Sequence, residues 1–252
     1  MFALDDALAD RVHALNIAIF ELLGAAAMKV QPGSFGAKVG SGYALFAGEG
    51  SPLTQVYGFA HRATDEAEKV NAFFAPRCQT WEVCVTPFTD PQTLRVLLDR
   101  GYRPGPFEGE LAQYVGAVAE PELHVEEVDG LDPTYLATTM AAWDDGNHGK
   151  IDPLLYILAA APVRKYLAFV DGKPAGTSIL WDHELGCVLA SGATAPAFRN
   201  RGVQTAMIRR RLRDAGEGRL ALVGAMPGTQ SYRNIMRTGF IPLYSTLNLK
   251  PA

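Results

Sequence analysis

The chain has 252 residues, of which 48% are hydrophobic, 20% charged and 10% aromatic. This composition fits one large or two small globular domains and excludes a disordered or collagen-like chain. Lys and Arg number 23 against 27 Asp and Glu, a formal net charge of −4, so a global basic field for gripping nucleic acid or an anionic membrane is absent.

Leu8, Val12, Leu15, Ile19, Leu22 and Leu23 recur every three or four residues and predict an amphipathic helix over 5–28. Its most apolar stretch, 14–28, contains Glu21 and is shorter than the roughly 18 residues a membrane span needs. Asp5, Asp6 and Asp10 are the reverse of the basic start of a signal peptide. The expectation is a cytoplasmic chain without a membrane partner. Residues 31–42 read as a Gly-rich loop, 43–47 and 54–60 as strands, 63–76 as a helix and 81–86 as a strand. DPQTLRVLLDRG (90–101) reads as a short helix opened by Pro91 and closed by Gly101. A strand over 102–115 and a linker over 116–122 follow.

Beyond the linker, 124–128 reads as a strand and 132–143 as a helix. Two alternating runs in 165–182 flank Asp171–Gly172, a hairpin turn that tolerates positive φ. A strand at 186–194, a helix at 203–215, a strand at 220–225, a short helix at 229–238 and a strand at 241–249 complete the chain. Residues 220–242 lie over 82–104 without a gap, at a constant offset of 138 residues. Gly239 matches Gly101, Phe240 matches Tyr102 and Pro242 matches Pro104. Each unit reads strand, helix, Gly, strand, and the match along its whole length points to an internal duplication.

Cys78, Cys84 and Cys187 are odd in number and form no CxxC pair. The five histidines, at 13, 61, 124, 148 and 183, are scattered. Neither a disulfide framework nor a metal site is expected.

The informative segment is GATAPAFRNRGVQTAMIRRRLRDAG (192–216). A strand ends near Thr194, an exposed turn carries Arg199 and Arg201, and Gly202 opens a helix. A helix start presents unpaired N–H groups with partial positive charge, and Gly lets a phosphate approach the backbone. This is an anion site in outline, or else a solvated basic turn. Arg209, Arg210, Arg211 and Arg213 spread around the same helix and read as a solvated face.

RNRGVQTA (199–206) resembles the pyrophosphate loop of the GNAT superfamily, the acyl-CoA-dependent N-acyltransferases. Arg199 and Gly202 match the pattern Gln/Arg-x-x-Gly-x-Gly/Ala, and Gln204 departs from it. VDGKPAGT (170–177), TAPAFR (194–199) and SYRNIMRTGF (231–240) resemble three further family segments in family order. The resemblance implies a mixed α+β fold in three layers: two GNAT-like domains, 1–117 and 122–252, each a mostly antiparallel sheet with flanking helices. It implies acetyl-CoA as co-substrate, no metal, and an amine acceptor on a small molecule, amino acid or peptide. A splayed fourth strand would offer Ala193, Thr194 and Ala195 to the pantetheine arm, and Arg199, Arg201, Gly202, Val203, Gln204 and Thr205 would take the pyrophosphate. Asn234 would help hold CoA. The family's general acid is a Tyr four residues before the Gly-Phe ending, which here is Ile235. Tyr232, one turn earlier, and Ser231 are the substitutes. Asp144, Asp145 and His148 would either bind a cationic amine or form a solvated loop.

The N-terminal half is expected to be degenerate. Its segment 58–74 has no Arg-x-x-Gly, and Asp65, Glu66 and Glu68 would repel a pyrophosphate. Its expected role is to cover part of the sheet and wall the substrate cleft. The competing expectation for the chain is a non-catalytic acyl-CoA-binding or interaction module. Oligomeric state is left open.

Overall fold

The computed structural model describes residues 4–63, 66–129, 131–143 and 148–251, without the side chains of 148–153. In chain order the elements are α1 (Asp6–Val30), β1 (Phe35–Val39), β2 (Gly42–Phe46), β3 (Gln55–Tyr57), α2 (Ala67–Phe74), β4 (Glu82–Val85), α3 (Pro91–Asp99) and β5 (Tyr102–Tyr114). Then follow β6 (Val125–Val128), α4 (Pro133–Trp143), α5 (His148–Ala160), β7 (Arg164–Val170), β8 (Lys173–His183) and β9 (Gly186–Thr194). A 3-10 turn (Pro196–Phe198), α6 (Val203–Ala215), β10 (Leu220–Ala225), α7 (Gln230–Arg237) and β11 (Ile241–Pro251) end the chain. The fold is α+β, with mostly antiparallel strands and flanking helices. By its contacts the chain forms an N-terminal unit, Leu4–Gly109 with the chain from Tyr244 onward, and a C-terminal unit, Glu110–Leu243.

In the N-terminal unit the strand order is β1-β2-β3-β4-β11-β5. Asp5 caps α1 by accepting the Leu8 N–H at 2.8 Å. α1 packs on β1, β2 and β3. Gly24 gives the Tyr43 ring its room, since a Cβ there would stand less than a bond-contact distance from the phenol oxygen. The next residue along β2, Ala44, faces the opposite side and joins Val56, Phe73, Phe74 and Val83 in a cluster that carries α2. Helices therefore cover both faces. By length and apolarity α1 reaches the threshold of a membrane span, beyond what the stretch 14–28 suggests. Its buried residues, from Leu8 to Ala27, make it a core helix of this unit.

In the C-terminal unit the order is β5-β10-β9-β8-β7-β6. Asp171 and Gly172 turn the β7–β8 hairpin at φ 51° and 71°, the positive values that Asp-Gly tolerates. Two adjacent residues of β8 fix the layering. A Cβ on Gly176 would crowd Val203 and Met207 of α6, whereas Thr177 bonds Thr139 of α4 at 2.8 Å. Alternation along a strand puts α6 and α4 on opposite faces.

The two units share a topology. A three-stranded meander, a loop, a helix, a parallel strand and a second helix appear as β1-β2-β3-α2-β4-α3 and as β7-β8-β9-α6-β10-α7. Gly101 and Gly239 close α3 and α7 at φ 89° and 97°. Compact units and sequence repeats differ at the last strands. β11 pairs with β4, Leu247 opposite Val85 and Leu249 opposite Val83. The residue after β5, Val115, exchanges bonds with Arg219 and Gly218 at 2.8 and 2.7 Å. The N-terminal unit therefore includes the chain from Tyr244 onward, and the C-terminal unit begins at Glu110 within β5.

Two elements differ from expectation. Residues 35–39 of the supposed Gly-rich loop form β1, because the two-residue turn Gly40–Ser41 sets them against β2. The segment after α4 contains α5, which Pro153 conceals in the sequence. Burial of Leu155, Ile157 and Leu158 holds it in place.

Candidate functional site

The site lies in the C-terminal unit, where β9 leaves β10. These parallel strands pair at Ala221↔Cys187 and Leu222↔Val188, and β9 then continues to Thr194 without β10. Its backbone groups on that edge are left available to a ligand. A bulge interrupts β9 on its other side. Between Thr177↔Ala193 and Ile179↔Ala190 the register shifts, so β9 carries one residue more than β8, and Ser191 takes φ 50°.

Arg211, from the buried face of α6, braces this bulge. It is 3% exposed. Its guanidinium donates to Ile179 O at 3.0 Å, Ala190 O at 3.3 Å and Met207 O at 3.1 Å. Burial pulls it down to about 10, so it stays charged at neutral pH. Sequence reading placed it on a solvated face, and the structure corrects that. Packing of α6 on the sheet turns one of its four arginines inward.

Beyond Thr194 the chain makes the 3-10 turn and enters α6 through Gly202, at φ 78° and with nothing within 4 Å of a would-be Cβ. No side chain caps α6. Its first three amides, on Val203, Gln204 and Thr205, precede the first intrahelical bond, from Ala206 N–H to Gly202 O at 3.0 Å. These are unpaired donors at the positive end of a helix dipole. Arg199 beside them is exposed.

The strand end, the turn and the first turns of α6 and α7 line a cavity of about 610 Å³. Of the residues assigned from the sequence, Ala193, Thr194, Arg199, Gly202, Val203, Gln204, Thr205, Ser231 and Asn234 reach it. Three do not. The Ala195 N–H bonds Ala175 O at 2.9 Å. Arg201 pairs with Asp171 of the hairpin turn at 2.8 Å. Tyr232 packs against the hydrophobic core, because its position on α7 faces inward. Gln204, the departure from the family pattern, spans to α7. Its amide nitrogen donates to Ser231 Oγ at 2.8 Å, and its carbonyl accepts from Asn234 Nδ2 at 2.9 Å. Asn200, inside the predicted loop, and Trp143, inside the segment 141–153 expected to select the substrate, also line the cavity, as do Gly192 and Phe198, which were not singled out. A Gly inside a strand is the usual signal of a bulge or close backbone approach, so Gly192 was readable. Asp144 and Asp145, and the side chain of His148, lie outside the described residues.

None of the described lining residues is Asp, Glu, His, Cys or Tyr. Burial pushes the Cys187 thiol on β9 up to about 11, which removes it as a neutral-pH nucleophile. Among the described residues no group of three or more His, Cys, Asp and Glu is placed to hold a metal.

Solved structures share this architecture. A GCN5-related N-acetyltransferase from Kribbella flavida superposes with a TM-score of 0.63 at 15% identity, over 93% of this chain and 95% of that one. The fold is that of the GCN5-related N-acetyltransferases. A tandem GNAT protein from the clavulanic acid biosynthesis pathway matches 99% of this chain and 96% of its own, with a TM-score of 0.60 at 14% identity. A GNAT-family acetyltransferase from Colwellia psychrerythraea gives 0.54 at 12% identity, over 96% and 97%. The likeness runs the length of the chain. The sequence matches no protein-family model and no curated protein.

Proposed function

We propose that the chain is an N-acetyltransferase that binds acetyl-CoA in the C-terminal unit and transfers the acetyl group by direct attack of an amine. The acceptor is an amine of a small molecule, amino acid or peptide. One observation carries the reading: a strand edge freed by the parting of β9 from β10 runs straight into an uncapped helix start. Amide-bearing pantetheine suits the edge at Ala193 and Thr194, as an added strand would. A pyrophosphate suits the amides of Val203, Gln204 and Thr205, with Arg199 adding a charge-assisted contact. Gln204, Ser231 and Asn234 form the side of the cavity facing the arm.

The lining side chains supply position rather than acid or base. An amine of ordinary pKa near 10 must reach the thioester as the free base. Holding both reactants lowers the barrier, and backbone amides at the bulge stabilise the developing oxyanion. Ser231 is the α7 hydroxyl nearest this role, and Asp144, Asp145 and His148 suit a cationic acceptor. Three free, buried cysteines fit a cytoplasmic setting.

A second reading, a non-catalytic acyl-CoA-binding module, is favoured by one residue. Ile235, 2% exposed in the core, occupies the position of the family's acid. Release of free CoA from acetyl-CoA, measured across amines, amino acids and peptides, separates the two. Turnover with any acceptor supports the enzyme. Micromolar acetyl-CoA binding without turnover supports the module. A folded chain that binds no acetyl-CoA overturns both.

A further inference from the structure

The N-terminal unit contains the counterpart of the anion loop. Residues 58–66 join β3 to α2, as 195–202 join β9 to α6. The last residue of the loop, Glu66, is only 4% exposed. Its carboxylate accepts three hydrogen bonds: from the Ser41 N–H at 2.7 Å, the Ser41 hydroxyl at 2.8 Å and the Ala60 N–H at 2.9 Å. Ser41 belongs to the turn between β1 and β2, and Ala60 belongs to the loop itself.

The arrangement is built for an anion. Two converging backbone amides and a hydroxyl are the donor set that holds oxyanions elsewhere. Gly40, at φ 60°, makes the space, since a Cβ there would overlap the carboxylate. Glu66 stands at the N-cap of α2 yet makes no side-chain cap bond to it. The carboxylate is turned away from its own helix and into the cradle. The adjoining seam is shut as well: all three residues of β3 pair with β4, Gln55↔Glu82, Val56↔Val83 and Tyr57↔Cys84.

We infer that Glu66 is a built-in anion filling a cradle formed by the β1–β2 turn and the loop after β3, and that removing Glu66 opens this cradle for a small free oxyanion. The cradle rests on the contacts of Glu66 and is separate from the amides that open α2.

Thermal melts of the full chain test this, with Arg199→Glu present throughout to silence the C-terminal loop. Glu66→Ala is expected to melt about 5 °C lower. Sodium formate or inorganic phosphate should then recover at least half of that loss, saturably. Sodium chloride at equal ionic strength should not, and the Glu66 parent should show no such response. Equal anion responses in parent and variant, or an unchanged melt, overturn the cradle. Should Glu66→Ala fail to fold in chloride, recovery of the fold in formate supports the cradle, and failure in both overturns it. Glu66→Asp, which keeps a tethered anion, should fold and ignore formate.

Discussion

The two strand-to-helix loops are alike in topology and opposite in charge and closure. In the C-terminal unit Arg201 reaches back to the hairpin turn and pairs with Asp171. In the N-terminal unit Glu66 reaches back to the equivalent turn and takes its amide and hydroxyl. Both loops lead into helices that no side chain caps. They differ beside the helix start: β9 parts from β10 in one, whereas β3 pairs along its length with β4 in the other. Unsatisfied backbone groups at a surface are available to a ligand, and the same groups satisfied from within are scaffold.

The comparison can be broken most sharply at Arg211. In the N-terminal unit the described pairings of β1, β2 and β3 show no register shift, and the buried face of α2 carries Phe74. Arg211→Met leaves the carbonyls of Ile179 and Ala190 without their donor and is expected to cost about 3 kcal/mol of stability, read from urea unfolding. A cost below about 1 kcal/mol would mean that the bulge holds without it. Next comes the loop itself. Gly202→Glu puts a carboxylate before the α6 amides and should weaken acetyl-CoA binding about 100-fold. Arg62→Ala, in the N-terminal loop, should leave that affinity unchanged.

Gly101→Ala and Gly239→Ala test the duplication. Each forces Ala to a positive φ at a helix end and should cost roughly 1–2 kcal/mol. Values that differ by several-fold would separate the two turns. The smallest effect is a pH dependence confined to the N-terminal unit. Burial, helped by charge repulsion from the neighbouring His61, holds His13 at about 4, below its ordinary 6.5. The Ser41 carbonyl that its ring bonds, Asp10 and Glu66 pull the other way. The unfolded chain takes up this proton first, so the contribution is full above pH 6.5 and drains as the pH falls towards 4. His13→Gln should flatten the fall in urea midpoint between neutral pH and pH 4.5, and an unchanged slope would assign it to other groups.

What the sequence made legible was local. Asp171–Gly172 and the Gly101 and Gly239 turns are set by which residues tolerate positive φ. The long amphipathic runs, the 138-residue repeat and the Arg-x-x-Gly helix start were all visible as pattern. The sequence also showed acid where the N-terminal loop would need base. It did not show which acid enters the cradle, because Ser41 lies 25 residues from Glu66. Nor did it show that Arg201 is spent on Asp171, that Tyr232 faces the core, or that Arg211 faces inward. Pairing, parting and bulging of strands are long-range events, and side-chain direction on a helix depends on what the helix packs against. Periodicity and turn chemistry determined the elements by themselves. Only the tertiary structure decided which backbone groups were left over for a ligand, because that depends on partners supplied from distant parts of the chain.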